Sequence, residues 1–113
     1  MPDHIRIHPA QGTWVVRAGG AVIGESRAAM ELTEGDYPPV VYFPRADLAM
    51  AMLDPSPTRT LCRWKGWASY WSLAVEGGTL GDVGWSYDTP LPGMQRIAGL
   101  IAFDRARVTL ERV

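Results

Sequence analysis

Between Cys62 and Tyr87 the chain gathers Cys62, Trp64, Lys65, Gly66, Trp67, Tyr70, Trp71, Trp85 and Tyr87. Six of its eleven aromatic residues fall in that stretch, beside its only cysteine. A thiol next to Arg63 and Lys65 could act as a nucleophile or redox group, because nearby positive charge favours the thiolate. Aromatic rings supply buried area, stacking faces and cation–π surfaces. Two chemistries follow. One is a thiol-dependent or group-transfer reaction with Cys62 as the catalytic residue. The other is an aromatic-lined cleft for a small flat or cationic ligand. It would be bound by Arg45, Trp64, Lys65, Gly66, Trp67, Tyr70, Trp71, Trp85 and Tyr87; Lys65 and Arg45 would supply positive or hydrogen-bonding contacts, Lys65 could contact an anionic ligand, and Gly66 would allow close backbone approach.

Each candidate has a plain structural counterpart. Free cysteines are commonly buried, and the histidine base that a catalytic cysteine usually wants has only two sources, His4 and His8, in an N-terminal segment that reads as peripheral. Those two histidines are too few and too terminal to argue for a metal, and none is expected. Lys65 beside Gly66 could be a snorkelling lysine at a turn. The tryptophans could be core. Arg45 could fork to an internal carboxylate instead of a ligand. Asp82 and Asp88 flank Trp85, but two carboxylates alone do not define acid–base catalysis. A third reading is a protein-interaction module built on an edge strand or aromatic patch.

The elements that must position these groups are short. Gly and Pro recur, with 12 and 9 copies, and their spacing favours strands over long helices. Trp14–Ala18 and Ala21–Glu25 flank Gly19-Gly20 as a tight hairpin. Residues 26–32 are ambiguous between helix and loop, and Val40–Phe43 reads as a strand after Pro38-Pro39. Residues 45–53 follow Pro44 with good helix formers, so an amphipathic helix is predicted there, ended by Pro55 and Pro57. Residues 58–66 are then extended or looped. A second hairpin is expected at Gly77-Gly78, flanked by 67–75 and 79–87. One or two helical turns at 94–98 and closing strands at 100–103 and 107–113 complete the reading. With a two-residue turn at Gly77-Gly78, Tyr70 faces Trp85 and Trp71 faces Gly84. Large aromatics then occupy both faces of the sheet, and Gly84 leaves room for the Trp71 indole.

Bulk properties set limits. The 113 residues suit one domain, 1–113, with 1–12 as a peripheral N-terminal segment. A net charge of −1 gives no basic excess to neutralise phosphates, so no nucleic-acid partner is expected. One cysteine allows no intrachain disulfide and no Cys-based zinc site, and a reducing cytoplasm is the expected home. The N-terminus shows no apolar signal core, and no stretch approaches the roughly twenty apolar residues of a membrane helix. The expected partner is an unidentified small molecule, bound without a membrane or a cofactor, by a monomer or homodimer.

Several motifs occur together in order. They are Tyr42-Phe43-Pro44-Arg45 with Asp47, Cys62-Arg63-Trp64-Lys65-Gly66, Ala68-Ser69-Tyr70-Trp71, Trp85-Ser86-Tyr87 with Pro90, and Ile97-Ala98-Gly99 with Ala102-Phe103. This series resembles the DUF427 family of small, mostly bacterial proteins, from about Trp14 to Val113. The family typically has proline where this chain has Arg63. The resemblance implies a mainly β fold, a compact antiparallel β-tent (Mss4-like) arrangement with one or two short helices. Zinc-binding members of that fold group use paired Cys-x-x-Cys motifs, which this chain lacks. A nucleotidyltransferase label has been attached to the family, whose molecular function is not established. No Gly-Ser motif followed by paired metal-binding aspartates supports that label here.

Overall fold

The computed structural model describes residues 2–113 and is mainly β. Three antiparallel sheets carry the chain. The first orders β1 (Ile5–Pro9), β4 (Met30–Glu34) and β5 (Val40–Tyr42) side by side. The second orders β10 (Thr109–Arg112), β2 (Trp14–Ala18) and β3 (Ala21–Ser26). The third is a run of β6 (Leu53–Cys62), β7 (Gly66–Val75), β8 (Gly78–Ser86) and β9 (Ile101–Phe103).

Two backbone seams tie the sheets together. Phe43 and Ile101 exchange N–H···O bonds of 2.8 and 2.9 Å, which joins β5 to β9. Gly24 bridges Leu48, and the Ala49 N–H donates to the Ile23 carbonyl at 2.7 Å. A Cβ on Gly24 would lie 2.6 Å from the Asp47 carbonyl oxygen, so the close approach at this second seam requires glycine.

The first seam also divides the core. Val41, Phe43, Ile101 and Phe103 join one apolar cluster with Val16, Ile23, Leu73 and Val83. Tyr42 and Ala102, pointing the other way, join a second with Ile5, Leu32, Ala68, Tyr87 and Ile97. Strands β5 and β9 are therefore buried on both faces, which is why Val40–Phe43 and Ile101–Phe103 read as continuous apolar runs instead of alternating ones.

Three sequence expectations are corrected. The helix predicted over 45–53 is replaced by two separate 3-10 turns, Arg45–Asp47 and Met50–Met52, with β6 starting at Leu53. The Gly24–Leu48 bridge and the Ala49 N–H bond to Ile23 draw the backbone between these turns away from helical pairing, so tertiary contact overrides propensity. Pro55 and Pro57 lie inside β6, tolerated because it is the sheet's edge and its pairing shifts between Pro55 and Arg59. The N-terminal segment contributes β1, with Ile5 and Ile7 buried, instead of lying peripherally.

The third correction concerns the second hairpin. Its turn residues are Glu76-Gly77, one position earlier than expected, giving Val75↔Gly78 and Leu73↔Leu80 pairs. A bulge on β8 between Leu80 and Gly84 then moves the register by two, so the expected Tyr70↔Trp85 and Trp71↔Gly84 pairs are restored. Asp82, in the bulge, adopts a φ of 50°. The Ser72 hydroxyl accepts its N–H at 3.1 Å, which supports that local conformation. The first hairpin has the expected two-residue turn at Gly19-Gly20, with Ala18 opposite Ala21. Residues 26–32 resolve into the end of β3 and the start of β4, and residues 94–98 hold a single 3-10 turn, Gln95–Ile97.

Candidate functional site

The β7–β8 ribbon separates two groups of candidate side chains. Ala68, Tyr70, Trp85 and Tyr87 lie on one face, and Ser69, Trp71, Gly84 and Ser86 on the other. The nine residues singled out as ligand-binding thus divide between the two faces and the loop that closes β6 and β7.

On the Trp71 face the polar atoms are engaged with one another. Ser86 is fully buried; its hydroxyl accepts the Trp71 indole N–H at 3.0 Å and an Arg45 N–H at 3.3 Å, and donates to Asp88 Oδ1 at 2.9 Å. Arg45 also pairs with Asp88 at 2.8 Å, and its guanidinium lies 4.9 Å from the Trp71 ring centre. Its Nε is buried without a partner. The expected room opposite Trp71 is taken by other groups: a Cβ on Gly84 would meet Ile101 Cγ2 at 3.3 Å and Phe103 Cδ1 at 3.4 Å. The arrangement is a hydrogen-bonded lock between the Pro44–Asp47 turn and the end of β8.

The Trp85 face is open. A concavity of about 560 Å³ is lined by Glu34, Tyr42, Lys65, Tyr70, Trp85 and Tyr87, with Tyr37, Pro38 and Pro39 at its rim and Asp82, Asp104 and Arg105 among its other walls. Lys65 is 7% exposed and its ammonium donates to Glu34 Oε1 at 2.7 Å. The same nitrogen is 3.7 Å from Cys62 Sγ. His4 Nε2 lies 3.8 Å from the other Glu34 oxygen, so the turn before β1 also reaches this carboxylate. The two histidines do not converge: His8 Nε2 instead contacts Glu31 at 3.0 Å.

The phenols of this face are held neutral. Burial pushes the Tyr42 hydroxyl up to about 12, opposed by a hydrogen bond with Trp85 and aided by the nearby Cys62 and Glu34 charges. Burial likewise raises Tyr87, reinforced by Tyr42 and Cys62. Both therefore offer O–H groups across the physiological range. At the bulge, hydrogen bonds from Ser56 and Thr58 hold the Asp82 carboxyl below its ordinary range, with Thr58 Oγ1 at 2.7 Å. Asp104 is lowered by the Ala106 N–H and by Arg107.

The remaining predicted residues are elsewhere. Trp67 is half exposed, paired across the strands with the exposed Leu61 and covered by Arg59 at 5.0 Å. Trp64 is packed edge-on by His4 at 5.0 Å and covered by Arg63 at 4.5 Å. Gly66 has a φ of 106°, which disfavours any side chain, and the preceding Lys65 carbonyl accepts the Leu91 N–H at 2.9 Å. Gly66 thus shapes the loop that turns Lys65 inward. The residues that sequence reasoning missed are Glu34, Tyr42 and Ser86. Glu34 had no sequence signal, because its pairing with Lys65 crosses from the first sheet to the third. Tyr42 and Ser86 lie inside motifs whose aromatic and cationic neighbours carry the stronger signal.

A family model described as "Domain of unknown function (DUF427)" matches residues 6–113, nearly the whole chain. The chain belongs to the DUF427 family. The match takes in β1 from its second residue onward and every other strand, so both faces of the ribbon belong to the DUF427 domain. No curated protein matches this DUF427 chain. Among the described residues no helix is long and apolar enough to cross a membrane.

Proposed function

We propose that the chain is a small-ligand-binding domain whose ligand occupies the cleft of Tyr42, Lys65, Tyr70, Trp85 and Tyr87. The supporting observation is the concavity itself, about 560 Å³, in the size range of small-molecule sites. Its walls combine aromatic area with a few fixed polar groups: the Lys65–Glu34 pair and two neutral phenols. In this reading Arg45 and Trp71 act indirectly, by fixing the back of the sheet, and Gly66 positions Lys65. The three small sheets meeting at seams also fit the β-tent (Mss4-like) group, and the single free cysteine fits a reducing cytoplasm.

A thermal-shift screen tests the reading. A ligand at about 100 times its dissociation constant adds roughly 2.7 kcal/mol, which raises the midpoint by about 10 °C. The shift should vanish in Trp85→Leu and persist in Arg59→Ala, which alters only the exposed Trp67 stack. A shift kept in full by folded Trp85→Leu would reject this cleft.

A second reading, thiol chemistry at Cys62, is favoured by one observation, the 3.7 Å approach of Lys65 Nζ to Sγ. Iodoacetamide should then label Cys62 faster in the native chain than in urea. Equal or slower labelling would remove it.

A further inference from the structure

The chain has five tryptophans. Four carry an arginine guanidinium over the ring: Arg45 on Trp71, Arg59 on Trp67, Arg63 on Trp64 and Arg105 on Trp14, at 4.5 to 6.0 Å from the ring centre. Among the described residues, Trp85 alone has no cation over its ring, and it is the tryptophan that lines the cleft.

The charges facing the same cleft are also uneven. Lys65 is bound to Glu34 at 2.7 Å, so that pair is neutral overall. Asp104 is paired with Arg107 at 3.1 Å. Arg105 keeps its charge over the Trp14 ring, 6.0 Å from its centre, and makes no ion pair among the described residues. Of the carboxylates in the lining, Asp82 is the one without an ion pair among the described residues. The Arg107 nitrogens near it donate to the Gly81 and Asp82 carbonyl oxygens, at 2.6 and 3.0 Å. Among the described residues its carboxylate makes no direct ion pair; its hydrogen-bond partners are the Ser56 and Thr58 hydroxyls, and the charge of Arg107 acts on it from a distance. The bulge that gives Asp82 its positive φ is what brings this unpaired anion into the cleft wall.

An uncovered indole, neighbouring phenols and an unpaired carboxylate are complementary to one ligand class. Resting on the cleft reading above, we infer that the ligand is an organic cation, an alkylammonium or guanidinium group, which seats over Trp85 and balances Asp82. The ring's electron-rich face attracts the cation, and partial desolvation in the cleft strengthens that attraction. An inorganic cation would gain less, because its tightly held water would be stripped at the ring face, and among the described residues no three carboxylate, imidazole or thiol groups converge to replace it.

Titration calorimetry on the full chain tests this with probes matched in shape and differing in charge. The pairs are choline with 3,3-dimethylbutan-1-ol, and methylguanidinium with methylurea. The cation of at least one pair should bind about tenfold more tightly than its neutral isostere. Trp85→Leu should weaken that cation about tenfold, and Asp82→Asn about threefold or more, with the isosteres unchanged. Asparagine tolerates the positive φ at position 82, so Asp82→Asn carries the test even where Trp85→Leu folds poorly. Isosteres that bind as well as the cations, cations that ignore both variants, or no binding by any of the four would overturn the assignment. A neutral hit from the thermal-shift screen that is lost in Trp85→Leu would leave the cleft reading standing while this inference fails.

Discussion

The two faces of the β7–β8 ribbon start from the same materials and end differently. Each has an indole, a cationic side chain, a carboxylate and a hydroxyl. On one, Trp71, Arg45, Asp88 and Ser86 bond to one another, with the Ser86 hydroxyl at the centre and fully buried. On the other, Lys65 and Glu34 bond to each other at 2.7 Å, while the half-buried Trp85 borders a concavity floored by the buried Tyr42 and Tyr87. The difference lies in what lies opposite. The first face meets Ile101, Phe103 and the Pro44–Asp47 turn. The second faces the region between the β4–β5 loop, which carries Tyr37 and Pro38, and the segment after β9, where the lining elements leave a cleft. Two faces of similar aromatic composition thus differ in what covers them.

Five substitutions, one of them also in a double variant, break or sharpen that contrast, in order of expected size. Glu34→Gln strips the partner from a nearly buried ammonium and should cost about 3 kcal/mol in urea unfolding. The Glu34→Gln/Lys65→Met double variant should recover most of the loss, because the uncompensated charge is then gone. On the closed face, Ser86→Ala leaves the Trp71 N–H and an Arg45 N–H without their acceptor. It should cost about 2 kcal/mol while leaving any cleft ligand's affinity within about twofold.

The open face carries an alkaline signature. The Tyr42 hydroxyl is raised in the folded chain, so the folded state holds its proton more tightly than the unfolded one. That contribution is complete below pH about 10, the unfolded value, and is lost as pH climbs toward about 12. The loss approaches about 1.4 kcal/mol per pH unit and should shrink in Tyr42→Phe, measured as urea midpoints against pH. Asp82 has the opposite sign. Its lowered value favours the folded state above the unfolded value near pH about 3.9, and the contribution disappears as pH falls through the folded value. Acid unfolding should therefore be less steep in Asp82→Asn. Arg59→Ala, which uncovers only the exposed Trp67, should change stability by about 0.5 kcal/mol or less.

Much of this contrast was legible in the sequence, and the reasons are local. Alternation along β7 and β8 placed Tyr70 with Trp85 and Trp71 with Gly84 on opposite faces. The pairs held although the turn lies one residue earlier, because the Asp82 bulge cancels the displacement. The helix over 45–53 failed because the Gly24–Leu48 bridge competes for the same backbone groups, and a bridge between residues 24 apart in sequence leaves no mark in local propensity. The same holds for the site. Which ring is covered depends on arginines from other segments: Arg45 reaches Trp71 and Arg105 reaches Trp14 across the fold. Glu34 meets Lys65 only because the first sheet docks on the third. Residue types singled out a candidate region; tertiary contact decided which half of it stayed open.

The five indole N–H groups provide the most direct test, since they report on both faces of the ribbon and on the surface at once. Their nitrogen-resolved NMR signals would be assigned by single Trp→Phe variants and followed as a thermal-shift hit is titrated into the full chain. The account expects the Trp85 signal to move progressively with ligand while Trp71, bonded to Ser86, stays in place. Saturable movement at Trp71 or Trp67 with Trp85 unmoved would contradict it.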